Sequence, residues 1–260
     1  MYRLPALAYL QLRANMRATV RYRADFVVGN IGTMVQAVAV VAAYLFLFSA
    51  LGSFGGWTAK QWTVVLGLVT TARGLWSIFF AGTLDVGQLV RTGKFDSYVL
   101  RPVSSLFLVS TAKISPDLWG ETAVGVFMTF YGLHVSGVAL TVGTLATALA
   151  AVVMGTAIYY ALFLVVQATS FWIVDNTMIL MLFERLDEYT RVPQPIFPGW
   201  TRAMFSSVIP LALIGYLPGS VIFGKADAWM LAVAAGVTSA VLVGAMWLWR
   251  CGLRRYSSAG

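Results

Sequence analysis

Long apolar runs separated by short polar or basic stretches fill the sequence from residue 26 onward. A helix of about 20 apolar residues is long enough to cross the hydrocarbon core of a bilayer. The pattern therefore predicts an all-α membrane protein with six transmembrane helices, and it assigns the whole chain, residues 1–260, to a single transmembrane domain. The predicted spans are residues 26–50, 61–82, 117–136, 140–167, 171–190 and 228–249.

Three further segments depart from the pattern of a simple span. Residues 1–25 set five arginines opposite leucines at helical spacing, which predicts an amphipathic interfacial helix, unless they form only a basic tail that fixes orientation. Residues 84–115 join a basic stretch to a short apolar run, which predicts a cytoplasmic coupling region with a helix along the inner membrane surface. Prolines and glycines interrupt residues 199–222, which predicts a re-entrant hairpin on the outer side, because irregular backbone at membrane depth needs protein around it.

The composition excludes a soluble protein. Hydrophobic residues make up 59% of the chain and charged residues 11%, whereas a soluble domain carries about 25% charged residues. The net charge of +8 is concentrated at the ends of the spans, where it indicates lipid headgroups and membrane orientation rather than nucleic acid. The arginines before residue 26 and after residue 249 predict that both termini lie in the cytoplasm.

The sequence offers little for catalysis or metal binding. It holds one cysteine and one histidine, too few for an internal disulfide, a zinc cluster or a histidine-based hydrolase. The nearest approach to an ATP-binding loop runs from Gly87 to Phe95, but its spacing is one residue too long, and phenylalanine stands where Mg²⁺ needs a hydroxyl. We therefore expect no catalytic site, metal site or cofactor in the chain itself, so that energy from a nucleotide must come through a partner.

Two charged residues lie inside predicted spans, Arg73 within 61–82 and Asp175 within 171–190. A charge at membrane depth is expensive and should face protein or water rather than lipid. We expect both side chains to line a pathway whose cavity is otherwise small and apolar, with few charges. For Asp175 the alternatives are helix pairing, an interfacial position, or the acid of an intramembrane enzyme.

Three stretches carry a resemblance to a known family: VGQLVRTGKFDSYVLRPVSSLF (86–107), TSFWIVDN (169–176) and PIFPGWTRAMFSSVIPLALIGYLPGSVIFG (195–224). They resemble the permease subunits of type-2 ABC exporters (the ABC-2 family), in the bacterial group of about this length that works with a separate ATPase. The group's first signature is met by Gly87, Arg91, Gly93, Asp96 and the pair Arg101-Pro102, and its pattern before the last helix by Pro198, Trp200, Arg202, Pro210, Tyr216 and Pro218. Residues 183–194 are more charged than this group leads us to expect.

The resemblance implies a permease subunit of an ATP-driven exporter, a multi-pass protein of the bacterial inner membrane that moves a small hydrophobic or amphipathic cargo. Its implied partners are cytoplasmic ABC ATPase subunits, which bind the ATP and Mg²⁺, and a second copy or a paralogous permease in the lipid bilayer. Contact with the ATPase is implied for Gly87, Arg91, Gly93, Lys94, Phe95, Asp96, Arg101 and Pro102. An outer gate is implied for Pro198, Trp200, Pro210, Tyr216 and Pro218.

Function and topology each leave an alternative open from the sequence. The chain could be a membrane-embedded small-molecule-binding or sensor module without its own pump, or a membrane enzyme acting on lipids; a co-purifying ATPase would favour the exporter. In the alternative topology, residues 171–200 stay on the inner face and 203–223 form the fifth span, which puts Arg185, Arg191 and Arg202 in the cytoplasm. The family resemblance favours an outward fifth span at 171–190.

Overall fold

The structure is a computed structural model that describes residues 23–115, 118–173, 175–201, 204 and 210–256. The predicted interfacial helix at 1–25 lies almost wholly outside the described residues. The helices are α1 (Arg23–Leu51), α2 (Ala59–Phe80), α3 (Val86–Arg91), α4 (Asp96–Val99), α5 (Ser105–Ala112), α6 (Trp119–Val135), α7 (Val142–Ala168), α8 (Thr177–Asp187), α9 (Tyr216–Ile222) and α10 (Met230–Arg255). Short 3₁₀ helices lie at Ala81–Asp85, Thr169–Phe171, Glu188–Arg191, Gln194–Ile196 and Leu211–Leu213, and a small hairpin pairs β1 (Ser53–Phe54) with β2 (Trp57–Thr58).

Within the described chain, four helical stretches are long and apolar enough to cross a membrane. They are Phe26–Ala50, Ala59–Arg91, Val142–Phe171 and Met230–Arg255. The prediction of a helical membrane protein is therefore confirmed. The two other predicted spans, 117–136 and 171–190, correspond to shorter helices, since α6 has 17 residues and α8 has 11.

The predicted helix over 171–190 is not continuous. Side chains near its start bond to the backbone instead of allowing a helix to run on: Asp175 Oδ1 accepts from the Thr177 amide at 3.0 Å, and Asn176 Nδ2 donates to the Val166 carbonyl at 3.1 Å. Asp and Asn compete with helical hydrogen bonds in this way, which favours turns and helix starts over helix interiors. Helix α8 therefore begins only at Thr177.

The hairpin between α1 and α2 marks one end of the helix bundle. Its two central residues, Gly55 and Gly56, have φ of 59° and 79°, a left-handed conformation that glycine adopts at low cost and that a two-residue hairpin turn requires. The opposite end carries α3, α4 and the end of α10, with Arg91, Lys94 and Arg254 among its residues. We refer to these as the hairpin end and the basic end.

Helix α2 runs through the middle of the bundle and is buried along most of its length. A capping box fixes its start, because Thr58 Oγ1 accepts from the Gln61 amide while the Gln61 side chain accepts from the Thr58 amide. On one side it packs against α7, where Thr156 Oγ1 donates to the Ala72 carbonyl at 3.2 Å. On another side it packs against α6.

Glycine and threonine let α2 and α6 approach closely. A Cβ added at Gly67 would overlap backbone atoms of Thr129 and Gly125, and one added at Gly74 would overlap Thr122. The two helices run antiparallel, because positions near the end of α2 face the start of α6. Small residues at such an interface permit extensive van der Waals contact, which drives helix association where lipid supplies no hydrophobic force.

The chain passes from the basic end to the hairpin end between α7 and the 3₁₀ helix at Gln194–Ile196. Asn176, just before α8, contacts the end of α7. Beyond α8, the Trp62 indole Nε1 donates to the Arg191 carbonyl at 3.0 Å, and a Cβ added at Gly55 would lie 3.2 Å from Pro193. Since Trp62 and Gly55 belong to the hairpin end, residues 177–196 extend from one end of the bundle to the other.

Residues 210–225 reach the middle of the bundle and return to the hairpin end. Ile214 lies beside Gly155 of α7 at half depth. Helix α9 then leads back to Lys225, whose Nζ donates to the Gly56 carbonyl at 2.7 Å and lies 3.9 Å from the ring centroid of Trp57. Residues 202–203 and 205–209 lie outside the described part, so the re-entrant hairpin at 199–222 stays a prediction.

Lys113 and Glu121 do not share a helical face, although they lie only eight residues apart in the sequence. Helix α5 ends at Ala112 and Lys113 is extended, with φ −124° and ψ 102°. Glu121 lies in the first turn of α6 and pairs with Arg73 of α2. The turn between α5 and α6 removes Lys113 from the helix.

We expect Gly67→Val to destabilise the protein by about 1–3 kcal/mol, because overpacking a close interface forces the backbones apart. The measurement is reversible unfolding in mixed micelles of a neutral detergent and dodecyl sulfate. Gly236→Val is the matched control, since a Cβ at Gly236 of α10 meets no atom within 4 Å. Equal stability of the two variants would contradict close packing of α2 on α6.

Candidate functional site

A cavity of about 770 Å³ opens among α1, α2, α6 and the segment containing α8. The residues of α1 that line it extend from Thr33 to Tyr44, which is about three helical turns. The cavity is therefore elongated along the bundle axis. Its lining mixes apolar, hydroxyl and charged side chains. The lining residues are Thr33, Gln36, Ala37, Val40, Ala43, Tyr44, Thr70, Arg73, Glu121, Met181, Glu184, Arg185, Glu188 and Arg191.

Four charged side chains meet at the wall of this cavity. Asp187 is fully buried and contacts the guanidinium of Arg73. Its Oδ2 also lies 3.9 Å from Nη1 of Arg191, and Arg73 Nε lies 3.7 Å from Glu121 Oε1. One carboxylate thus serves two guanidinium groups, and one of these reaches a second carboxylate.

The aromatic contacts of α8 explain why this cluster forms. Phe183 and Asp187 lie one turn apart on its buried face. The Phe183 ring packs edge-to-face on Phe163 of α7, with centroids 5.0 Å apart, and Phe163 stacks on Trp76 of α2 at 3.9 Å. This packing orients α8 so that Asp187 points at Arg73.

The expectation of an apolar-lined cavity with few charges is wrong. Arg73 lines the cavity together with Glu121 and Arg191, which were not anticipated there, and Asp187 lies buried beneath them. A pathway through this cavity stays a prediction. The excess of charge at 183–194 was the available signal. A polar face recurring at one-turn intervals through Asp187 and Arg191, set against apolar residues, indicates a helix that buries its charges inside a membrane protein.

Asp175 lies apart from Arg73, outside the cavity, at the basic end. Its side chain is 59% exposed, and its Oδ2 lies 3.6 Å from Nη1 of Arg91. The Thr177 hydroxyl donates to Oδ1 at 2.6 Å. This bond, with the Thr177 amide and then Arg91, holds the pKa of Asp175 below its usual range.

Phe95 anchors the basic segment, by which we mean residues 86–102. Its ring is fully buried and meets those of Phe171, Trp249 and Tyr256 edge-to-face, with centroids 5.4, 6.0 and 5.2 Å away. Such aromatic pairs add about 0.5–1.5 kcal/mol each beyond burial. The segment is therefore fixed to the ends of α7 and α10.

Polar contacts strengthen this attachment. The Tyr256 hydroxyl donates to Asp96 Oδ1 at 2.7 Å, and burial, together with this carboxylate, raises the pKa of Tyr256 to about 12. The tyrosine thus stays a neutral donor at physiological pH. On the other side, the Gly87 amide and Asn176 Nδ2 both donate to Gln167 Oε1, at 3.1 and 3.3 Å. The segment thereby contacts α7, α10 and the residue that precedes α8.

The opposite face of the basic segment is exposed. Gly93, with φ of 70°, makes the turn between α3 and α4 in a conformation that favours glycine. At the end of α4, Val99 and Leu100, the latter 83% exposed, lie among cationic side chains. The exposed residues of the implied ATPase contact are Arg91, Lys94, Arg101 and Pro102.

The residues implied for an outer gate lie near the hairpin end but not in one cluster. Tyr216 packs against Trp57, with ring centroids 5.7 Å apart. Pro210 and Pro218 are buried before and within α9, whereas Pro198 and Trp200 are exposed. The structure thus ties α9 to the turn between α1 and α2.

Among the described residues, no group of three His, Cys, Asp or Glu side chains is arranged to hold a metal ion. The sequence matches the family model described as ABC-2 family transporter protein over residues 34–260. Neither a curated protein nor a solved structure matches the chain.

We expect Arg73→Met to destabilise the protein by about 3–5 kcal/mol, because it leaves Asp187 buried without its guanidinium contact. The double variant Arg73→Met/Asp187→Leu should lose less stability than the two single variants lose in sum, since it removes both charges and leaves neither buried alone. Unfolding in mixed micelles measures all three. Additive losses would show that the two side chains are not coupled.

Proposed function

The chain belongs to the ABC-2 family of transporter proteins and is a multi-pass membrane permease of an ABC transporter, and we propose that it is an exporter subunit driven by a separate cytoplasmic ATPase. The family's members are transport subunits and not enzymes. In this proposal the protein lies in the bacterial inner membrane, crosses it six times and keeps both termini in the cytoplasm. A second copy or a paralogous permease completes the pathway.

The observation that carries the proposal is the charged cavity at membrane depth. Polar and ionisable groups are expensive in lipid and mark the routes of ions and substrates through membrane proteins. This cavity lies between α1 and α8. A polar molecule inside it would exchange contacts with water for contacts with charged side chains. Arg73 serves as a pathway-lining residue, while Asp175 lies at the basic end, beside α8's start.

The distribution of basic residues supports an orientation with the basic end in the cytoplasm. Cytoplasmic loops of membrane proteins carry an excess of lysine and arginine. The basic end holds Arg91, Lys94, Arg101, Arg250, Arg254 and Arg255. The hairpin end, with α9 and its buried prolines, then faces outward and closes the outer end of the pathway.

The basic segment is the proposed site of ATPase contact. Its exposed face offers cations around Leu100, while its buried face holds Phe95 against α7 and α10. A force on the exposed face would therefore reach the end of α7, the end of α10 and the start of α8 at once. This arrangement supports a coupling role for the segment.

We expect Leu100→Glu to abolish co-purification of the ABC ATPase in mild detergent, because it places a charge on an exposed apolar contact. Val142→Glu is the matched control: Val142 is 85% exposed at the start of α7, near the hairpin end. The control should retain the ATPase. If the unchanged permease bound no ATPase, a sensor or binding module would replace the exporter as its function.

Cysteine labelling tests the topology. In a Cys251→Ser background, Trp200→Cys should react with an impermeant maleimide on intact cells, because Trp200 is 73% exposed on the proposed outer side. Asp175→Cys should react only after the membrane is permeabilised. Labelling of Trp200→Cys only after permeabilisation would support the topology in which 203–223 is the fifth span.

A further inference from the structure

Two ionic side chains of opposite sign face the cavity with their hydrogen-bonding capacity unused. Glu121 lies 3.7 Å from Arg73, and Arg191 lies 3.9 Å from Asp187. Both distances exceed those of hydrogen bonds. Within the described part of the chain, neither the Glu121 nor the Arg191 side chain makes a hydrogen bond, although Arg191 is only 12% exposed.

The charges that line the cavity are balanced. Three guanidinium groups and three carboxylates face it, and Asp187 lies beneath them in contact with Arg73. A ligand with one net charge would meet a repelling group beside each attracting one. A purely apolar ligand would displace water from Glu121 and Arg191 and give them no replacement, which is costly for buried charges.

The cavity also has an apolar wall. Ala37, Val40 and Ala43 line it along α1, and Met181 faces it from α8. Its volume of about 770 Å³ falls in the range of about 300–1,000 Å³ typical of small-molecule sites. A ligand with an ionic head and an apolar tail would satisfy both walls.

We propose that the cavity binds a zwitterionic amphiphile. Its anionic group contacts Arg191, its cationic group contacts Glu121, and its apolar part lies along α1. The inference rests on the proposed function, in which this cavity lies on the cargo route, and it narrows the cargo from hydrophobic or amphipathic molecules in general to those that carry both charges.

The test uses four hexyl compounds that differ in headgroup and stay monomeric: hexylphosphocholine, hexyl phosphate, hexyltrimethylammonium and hexyl glucoside. Binding to the full chain in dodecyl maltoside is measured by titration calorimetry. Hexylphosphocholine should bind at least about tenfold more tightly than the other three. Its phosphate accepts a charged hydrogen bond from Arg191, worth about a tenfold change or more, and its quaternary ammonium, which has no N–H to donate, pairs electrostatically with Glu121. Phosphocholine without a tail should bind more weakly than hexylphosphocholine.

Single substitutions should change the headgroup preference in opposite directions. Arg191→Gln should weaken hexylphosphocholine binding about tenfold and strengthen binding of hexyltrimethylammonium. Glu121→Gln should weaken binding of hexylphosphocholine by a similar factor but strengthen binding of hexyl phosphate. Arg191→Lys, which keeps the charge, should lie between Arg191→Gln and the unchanged protein. Arg250→Gln, at the exposed end of α10, is the control and should change nothing.

Opposite changes in preference cannot come from a general loss of folding. Equal binding of hexyl glucoside and hexylphosphocholine would overturn the proposal, as would unchanged preferences in both Arg191→Gln and Glu121→Gln. Equal binding of free phosphocholine would overturn the part that assigns an apolar tail. Because the assay uses the permease alone, its failure leaves co-purification of the ATPase, and hence the proposed function, as a separate result.

Discussion

The contact of buried Asp187 with Arg73 is the interaction on which the middle of the molecule depends. Helix α8 has 11 residues, too few to cross a bilayer alone, and it carries charges that lipid would not accept. Its position therefore has to come from protein contacts. Phe183 supplies an apolar contact with α7 and Asp187 an ionic contact with α2, and together they fix the position of α8. The cavity is the space that remains between this short helix and α1.

Helix α2 connects the cavity to the basic end. It continues through the 3₁₀ helix Ala81–Asp85 into α3, so that Arg73 and the basic segment belong to one nearly unbroken helical stretch. Close packing on α6, which Gly67 and Gly74 permit, leaves α2 little freedom to bend on that side. In the proposed mechanism, a force on α3 would move Arg73 and α6 together as one unit.

Much of the architecture was predictable because it follows from apolar length and from glycine. The four long helices and the turn at Gly55 belong to this class. The protein-facing position of Arg73 was predictable for another reason, the cost of a charge in lipid. The interruption before α8 was not predictable, because it depends on hydrogen bonds from Asp175 and Asn176 to particular backbone groups. The ion cluster was missed because Arg73 and Asp187 are remote in sequence. A local sequence pattern does not identify which distant residue a buried charge will contact.

The attachment of the basic segment decides how a push at the basic end would reach the cavity. Phe95 joins the segment to α7 and α10, which do not line the cavity. The link to α8 is narrower: the Gly87 amide and Asn176 share one acceptor on Gln167, and a Cβ at Gly87 would overlap Asn176. Because α8 is short and its chain connection to α7 runs through the irregular residues before Thr177, a tilt of α8 would not require a long helix to bend. Movement at this joint would change the separation of α8 from α1, and with it the width of the cavity.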